Sequence, residues 1–202
     1  MIDRLSQVAR RPVSRETMEK LEAYATMLRE ECSRQNLVSA STLDQLWDRH
    51  ILDSAQLVRY EPHAGASWVD IGSGAGLPGI VIACLVVGPV TLVEPRRLGA
   101  DFLHNVCESL QLNANLVFGK AERAEGVYDA VTARAVAKLG QLLKISAHLS
   151  TTKTVWALPK GRGAAEELAE ARQSWQGVFH VEQSVTDADS YIVVATGVRA
   201  KR

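Results

Sequence analysis

The stretch from Trp68 to Leu85, WVDIGSGAGLPGIVIACL, constrains the fold more than any other part of the chain. It reads as a short apolar strand, a turn with glycines at 72, 74, 76 and 79, and an apolar helix. A strand that enters a helix through such a turn brings main-chain N–H groups close together, at the edge where open α/β sheets hold nucleotide-like ligands. The chain then repeats the unit. Strand-like runs (VTLVEP, NANLVFG, YDAVTARA, TVWALPK) alternate with helix-like runs (RLGADFLHNVCESLQL, KLGQLLKISAHL), which predicts a mostly parallel sheet with helices on both faces. Beyond Gly163, AAEELAEARQSW reads as an exposed helix, and VFHVEQSV and SYIVVATGV as two strands of an antiparallel edge.

The first sixty residues are helical in pattern. Ser14 can cap a helix reaching about Glu31, with Met18, Leu21, Ala25 and Leu28 at helical spacing. A second helix is expected after Ser41, where STLD supplies an acid three residues on, running through DQLWDRHILDSAQLVRY. EPHAGAS breaks the pattern, so residues 1–63 are expected to form a helical extension packed on a domain of residues 64–202.

Composition removes several classes. Lys plus Arg and Asp plus Glu are both 23, so there is no bulk attraction for a polyanion, and any nucleic-acid contact must be local. Cys32, Cys84 and Cys107 form no C-x-x-C pair, so neither a disulfide framework nor a metal site is expected. The longest apolar run, Gly79 to Gly88, falls short of the roughly 20 residues of a membrane span, and the first residues lack a signal-peptide core. A cytoplasmic location, with no membrane partner, is the expectation.

Two ligands compete for the glycine turn. Gly74, Gly76 and Gly79 spell G-x-G-x-x-G, and Glu94 lies twenty residues beyond Gly74, as a dinucleotide fingerprint asks. The earlier frame reads Asp70 at the strand end followed by Gly72, Gly74 and Gly76. Charge separates the two, because a carboxylate repels a pyrophosphate but favours the sulfonium and ammonium of S-adenosyl-L-methionine. Glu94 suits ribose hydroxyls in either case.

Further motifs are NLVS (Asn36 to Ser39), RHILDSAQL (Arg49 to Leu57), LVEPRRLGADFL (Leu92 to Leu103), GKAERA (Gly119 to Ala124), DAVTARAVAKL (Asp129 to Leu139) and LPKGR (Leu158 to Arg162). Together with VDIGSGAGLPGI, the chain resembles the RsmG (GidB) family, which methylates a guanine N7 in 16S rRNA. The resemblance implies a class I, Rossmann-like methyltransferase with an N-terminal helical extension. It further implies S-adenosylmethionine as cofactor, and 16S rRNA or a small-subunit particle as partner; a monomer is the separate expectation. Position by position it implies cofactor contacts at Gly72, Leu77, Ala121, Glu122 and Arg134, and it favours a substrate role for Asn36, Arg49, His50 and Asp53. On spacing alone, Arg49 and Asp53 read equally well as an i,i+4 ion pair beside a half-buried histidine.

The residues also constrain the acceptor atom. Methylating an exocyclic amine calls for Asn or Asp followed by Pro-Pro and an aromatic after the fourth strand, where this chain has TARAVA. No cysteine lies beside a proline in a loop, which argues against a covalent route. Guanine N7 carries a lone pair and no proton, so it needs no general base. Arg134, after the fourth strand, is expected to border cofactor and target base, and Lys160 and Arg162 to grip RNA phosphate or simply to form a turn. Alternatives are ribose 2′-O methylation using Asp129, Lys160 and Glu182, and an assembly factor that binds S-adenosylmethionine without turnover. Arg96 and Arg97 read as a solvated helix start, and Arg199, Lys201 and Arg202 as a basic terminus.

Overall fold

The computed structural model describes residues 1–201, the side chain of Ala40 excepted; Arg202 of the basic terminus lies outside the described residues. The chain opens with α1 (Ile2–Ala9) and α2 (Arg15–Cys32). Ser14 caps α2 as expected, its Oγ accepting from the Thr17 N–H at 3.0 Å. The second predicted helix is corrected. In its place come α3 (Ala40–Leu43), a π-helical turn (Trp47–Leu52), α4 (Asp53–Ala55) and a 3₁₀ turn (Gln56–Tyr60). Ser39, not Ser41, precedes α3, and no side chain caps it. An α-helix buries one stripe, whereas Ile51, Leu52 and every residue from Ser54 to Val58 are buried here. The changing winding re-aims side chains so that a segment enclosed on more than one side can bury them all.

The sheet follows, with β1 (Trp68–Ile71), α5 (Gly79–Leu85), β2 (Val90–Glu94), α6 (Arg97–Leu110) and β3 (Ala114–Phe118). Then come a 3₁₀ turn (Ala121–Arg123), β4 (Ala130–Ala133), α7 (Leu139–Ser146), β5 (Val155–Lys160), α8 (Ala164–Ala171), β6 (Trp175–Gln183) and β7 (Tyr191–Ala200). Strand order is β3-β2-β1-β4-β5-β7-β6. The first five strands are parallel, and β7 runs antiparallel to both β5 and β6, as the sequence pattern predicts.

Alternate residues of the strands feed two cores. Trp68, Val90, Leu92, Ala130 and Ala157 face α1, α2, α5 and α6. Val69, Ile71, Val93, Val131, Trp156 and Val193 face α7 and α8. The N-terminal helices therefore share one continuous core with the sheet: Leu5, Leu21, Tyr24 and Leu28 are buried in the same cluster as Trp68 and Ile80. Because β2 and β4 flank β1 on opposite sides, the connections leave β1 and β4 in opposite directions, opening a crevice at the carboxyl ends of these strands.

Candidate active site

The glycine turn of residues 72–78 sits on that crevice, held from below by two acids. Gly79 donates its N–H to Asp70 Oδ2 at 3.1 Å, and a Cβ there would collide with Leu92 and approach Asp70 Oδ2 to 2.5 Å, so only glycine starts α5 this close to the sheet. Glu94 Oε2 accepts from the Gly74 N–H at 2.7 Å, while Oε1 accepts from the main-chain N–H and Nε of Arg96 at 2.9 and 3.0 Å. A carboxylate offers about four lone-pair sites, so one remains on Oε2 for a further donor such as a ribose hydroxyl. Gly76 closes the turn by donating to the Ser73 carbonyl at 2.7 Å.

Asp70 lies deeper than its sequence position suggested. It is fully buried; Oδ2 takes Gly79, while Oδ1 has no partner among the described residues. Burial pushes the Asp70 carboxyl up to about 7, against the pull of hydrogen bonds from Ser73 and Gly79 and of the Arg134 charge. An unpartnered buried carboxylate oxygen beneath a nucleotide-type turn favours a ligand that brings positive charge or N–H donors.

Beside the turn, Ile71, Gly72, Val93, Pro95, Ala121, Glu122 and Val136 line a small cavity of about 120 Å³, with mostly apolar walls suited to a flat heterocycle. Ala121 and Glu122, which the resemblance implies as cofactor contacts, lie on the 3₁₀ turn after β3. The Leu77 side chain is 4% exposed and packs into the core beneath the turn, which leaves its main chain to face the crevice.

A second cavity, about 460 Å³, opens beyond the ends of β4 and β5, and its walls include Asp53, Arg134, Ala135, Val136, Lys160 and Tyr191. Val136 belongs to both cavities. It reaches back over Gly72 (φ +67°), where an added Cβ would come within 2.6 Å of Val136 Cγ2. Ala135 holds a left-handed φ of +58°, a conformation that costs a non-glycine residue about 1 kcal/mol and concentrates at functional sites.

Charges in this second cavity are tied to one another. Arg134 lies 3.8 Å from Asp53, both largely buried, and desolvation lowers the guanidinium from its ordinary range. Asp53 Oδ1 also accepts from Gln56 Nε2 and Thr186 Oγ1, each at 2.8 Å. The expected Arg49–Asp53 pair is therefore absent: Asp53 turns inward to these donors, and half-exposed Arg49 meets Asp187 at 3.5 Å. Lys160 is corrected too. Its Nζ does not face solvent as a phosphate grip would; it donates to the Ala137 carbonyl at 2.9 Å and meets Glu167 at 2.8 Å. Arg162 is exposed and paired with Asp189. His50 Nε2 meets Thr42 Oγ1 at 3.0 Å, its Nδ1 is buried without a partner, and burial plus Arg134 and Arg49 pull the imidazole down to about 4. His50 and Arg49 line a third cavity that shares Asp53 with the second. Asn36 lies exposed after α2 and lines neither cavity.

One contact had no clear signal in the sequence. Tyr24 of α2, fully buried, donates its hydroxyl to the Ala75 carbonyl of the glycine turn at 2.7 Å, where helical spacing marked only Met18, Leu21, Ala25 and Leu28.

Known proteins resemble this chain in sequence and in fold. A family model described as rRNA small subunit methyltransferase G (GidB) matches residues 17–191. A ribosomal RNA small subunit methyltransferase G of Zymomonas mobilis is 43% identical over 199 residues, covering 94% of this chain and 90% of the relative. The protein of the same name from Sphingopyxis alaskensis is 46% identical over 187 residues, covering 91% and 80%. Among solved structures, a SAM-dependent methyltransferase from Aquifex aeolicus superposes with a TM-score of 0.61 at 12% identity, covering 78% of this chain and 98% of its own. A TehB-like SAM-dependent methyltransferase from Corynebacterium glutamicum gives 0.56 at 15% identity, covering 87% and 97%.

Proposed function

Because the chain belongs to the rRNA small subunit methyltransferase G (GidB) family, we propose that it transfers a methyl group from S-adenosylmethionine to N7 of one guanine in 16S rRNA. S-adenosylmethionine supplies that methyl group on a positively charged sulfonium. The chain fits such a cofactor at three points: the unpartnered Asp70 Oδ1, the free site on Glu94 Oε2, and the small apolar cavity at Ala121 and Glu122. Arg134, 3.8 Å from Asp53 and near enough to Asp70 for its charge to act there, supplies a cation that would meet the cofactor's carboxylate.

The observation that carries the assignment to N7 is the pairing in the acceptor cavity. Asp53 is engaged by Arg134, Gln56 and Thr186, and Lys160 by Ala137 and Glu167. Each of these groups is held by partners within the protein, an arrangement that suits an acceptor such as N7, which has no proton to give and needs no general base. What the chain contributes is placement: Val136 divides the two cavities, and orientation of this kind is worth up to roughly 7–11 kcal/mol of barrier. The alternative ribose set is not assembled. Asp129 binds Ser67 at the amino end of β4, and Glu182 accepts from Tyr60.

Residues 1–63 act in this reading as an extension of a methyltransferase domain spanning 64–202, in a monomeric cytoplasmic enzyme. No described helix is long and apolar enough to cross a membrane. The test is to incubate the protein with radiolabelled S-adenosylmethionine and, separately, unmodified 16S rRNA, small-subunit particles and transfer RNA, then identify the labelled nucleoside. Label in 7-methylguanosine from 16S rRNA or particles alone is the expected result. Label in a 2′-O-methylated nucleoside, or bound cofactor with no transfer, overturns it.

A further inference from the structure

A chain with no net charge must hold RNA through a local surface, and the acceptor cavity offers little free charge for it. Alongside lies another cavity, about 490 Å³, between α7 and α8, within the size range of small-molecule sites. It shares Lys138 and Glu167 with the acceptor cavity, so the two adjoin at the start of α7. Its remaining walls include Gly140, Lys144, Trp175 and Lys201.

Positive charge is in excess here. Glu167 is occupied by Lys160 and by the Leu139 N–H at 2.8 Å, and Glu170 by Lys138 at 3.4 Å. Lys144 has no acidic partner among the described residues, and Lys201 bonds a main-chain carbonyl, that of Arg172. Trp175, the first residue of β6, is half-buried and forms part of the wall. A partly exposed indole, packed on one side against the α7–α8 core and set among lysines, is a combination that can stack a base and hold its phosphate.

We infer that the α7–α8 groove binds a nucleotide several positions from the target guanine on the same RNA, its base against Trp175, which pairs with Ala200 at the far end of β7, and its phosphate at Lys144, with Lys138 at the passage between the cavities. This rests on the RNA methyltransfer reading above.

The test compares Trp175→Leu, Trp175→Phe and Lys144→Ala with wild type. The readouts are the Kd and KM for unmodified 16S rRNA over a range of salt, kcat, and the Kd for S-adenosylmethionine. Trp175→Leu is expected to weaken RNA binding about tenfold, and Trp175→Phe, which keeps a ring, to retain most of it. Lys144→Ala is expected to reduce the salt slope by about one. The kcat at saturating RNA and the cofactor affinity stay at wild-type values in all three. If wild type methylates 16S rRNA while the variants keep its affinity and slope, the groove assignment fails alone. Equal losses in Trp175→Leu and Trp175→Phe, with cofactor affinity also lost, mean a folding defect and overturn the stacking. A wild type that neither binds nor methylates 16S rRNA overturns the proposed function and the groove with it.

Discussion

Replacing Lys160 with Met separates two roles that the sequence left open. In the structure its ammonium is 2.8 Å from Glu167 Oε2 and 2.9 Å from the Ala137 carbonyl, with side chains only 10% and 24% exposed. Two unit charges at that distance attract by about 6 kcal/mol at an effective dielectric constant near 20, and desolvation offsets much of this. Losing one partner of a buried pair costs about 3–5 kcal/mol because the other charge is stranded. Glu167 keeps the Leu139 N–H and some solvent, so the cost falls just below that range: Lys160→Met should cost about 2–3 kcal/mol, or roughly 5–10 °C in Tm for a chain of this length. Urea unfolding measures it, and adding Glu167→Gln should recover at least about 1 kcal/mol, since the stranded charge disappears. The salt slope of 16S rRNA binding should stay at the wild-type value. A loss below about 0.5 kcal/mol, no coupling to Glu167 and a slope reduced by about one would refute the argument and restore Lys160 as a phosphate contact.

Three further outcomes follow from the cofactor crevice. Asp70 is an acid raised in the folded state, so the native protein holds its proton between about pH 4 and 7; stability should fall as pH rises through that window and level off above about 7. Affinity for a cationic ligand should rise over the same range, and Asp70→Asn should flatten both profiles; identical profiles in calorimetry would exclude this account. Tyr24→Phe removes the only side-chain donor to the Ala75 carbonyl among the described residues and should cost about 1–2 kcal/mol in urea unfolding, with weaker S-adenosylmethionine binding; wild-type values for both would make the hydrogen bond inconsequential. Gly72→Ala should cost about 1–2 kcal/mol for its φ of +67° and more for displacing Val136. In a Val136→Ala background only the first cost should remain, and equal losses in both backgrounds would show that the contact is unimportant.

The sheet was legible because parallel strands buried on both faces leave apolar runs, and each run here is bounded by a turn. The helical extension was less so. Helix α1 is only eight residues long, has no side-chain cap, and ends on Arg10 in a left-handed conformation, without the glycine that usually marks a stop. The segment Ile51–Val58 has an apolar pattern that suits an α-helix, and only its enclosure by neighbouring elements explains the changes in winding. Among site residues, the glycines and Glu94 were readable because they obey local rules of turn and strand end. Asp53 and Lys160 were not: their partners Thr186 and Glu167 come from distant or unrelated stretches, and no spacing reveals which charge turns inward.

The hydrogen bond from Tyr24 to the Ala75 carbonyl joins groups 51 residues apart and carries a thermodynamic consequence. Local opening of α2 must break a bond made to the glycine turn, and a ligand that stiffens the turn makes that opening rarer. By linkage, a substitution that loosens α2 enough to populate its open form weakens binding at the crevice in proportion to the closed fraction that remains. Slower amide exchange in α2 upon addition of S-adenosylmethionine would reveal this coupling, at a helix that lines neither the small cavity beside the turn nor the acceptor cavity.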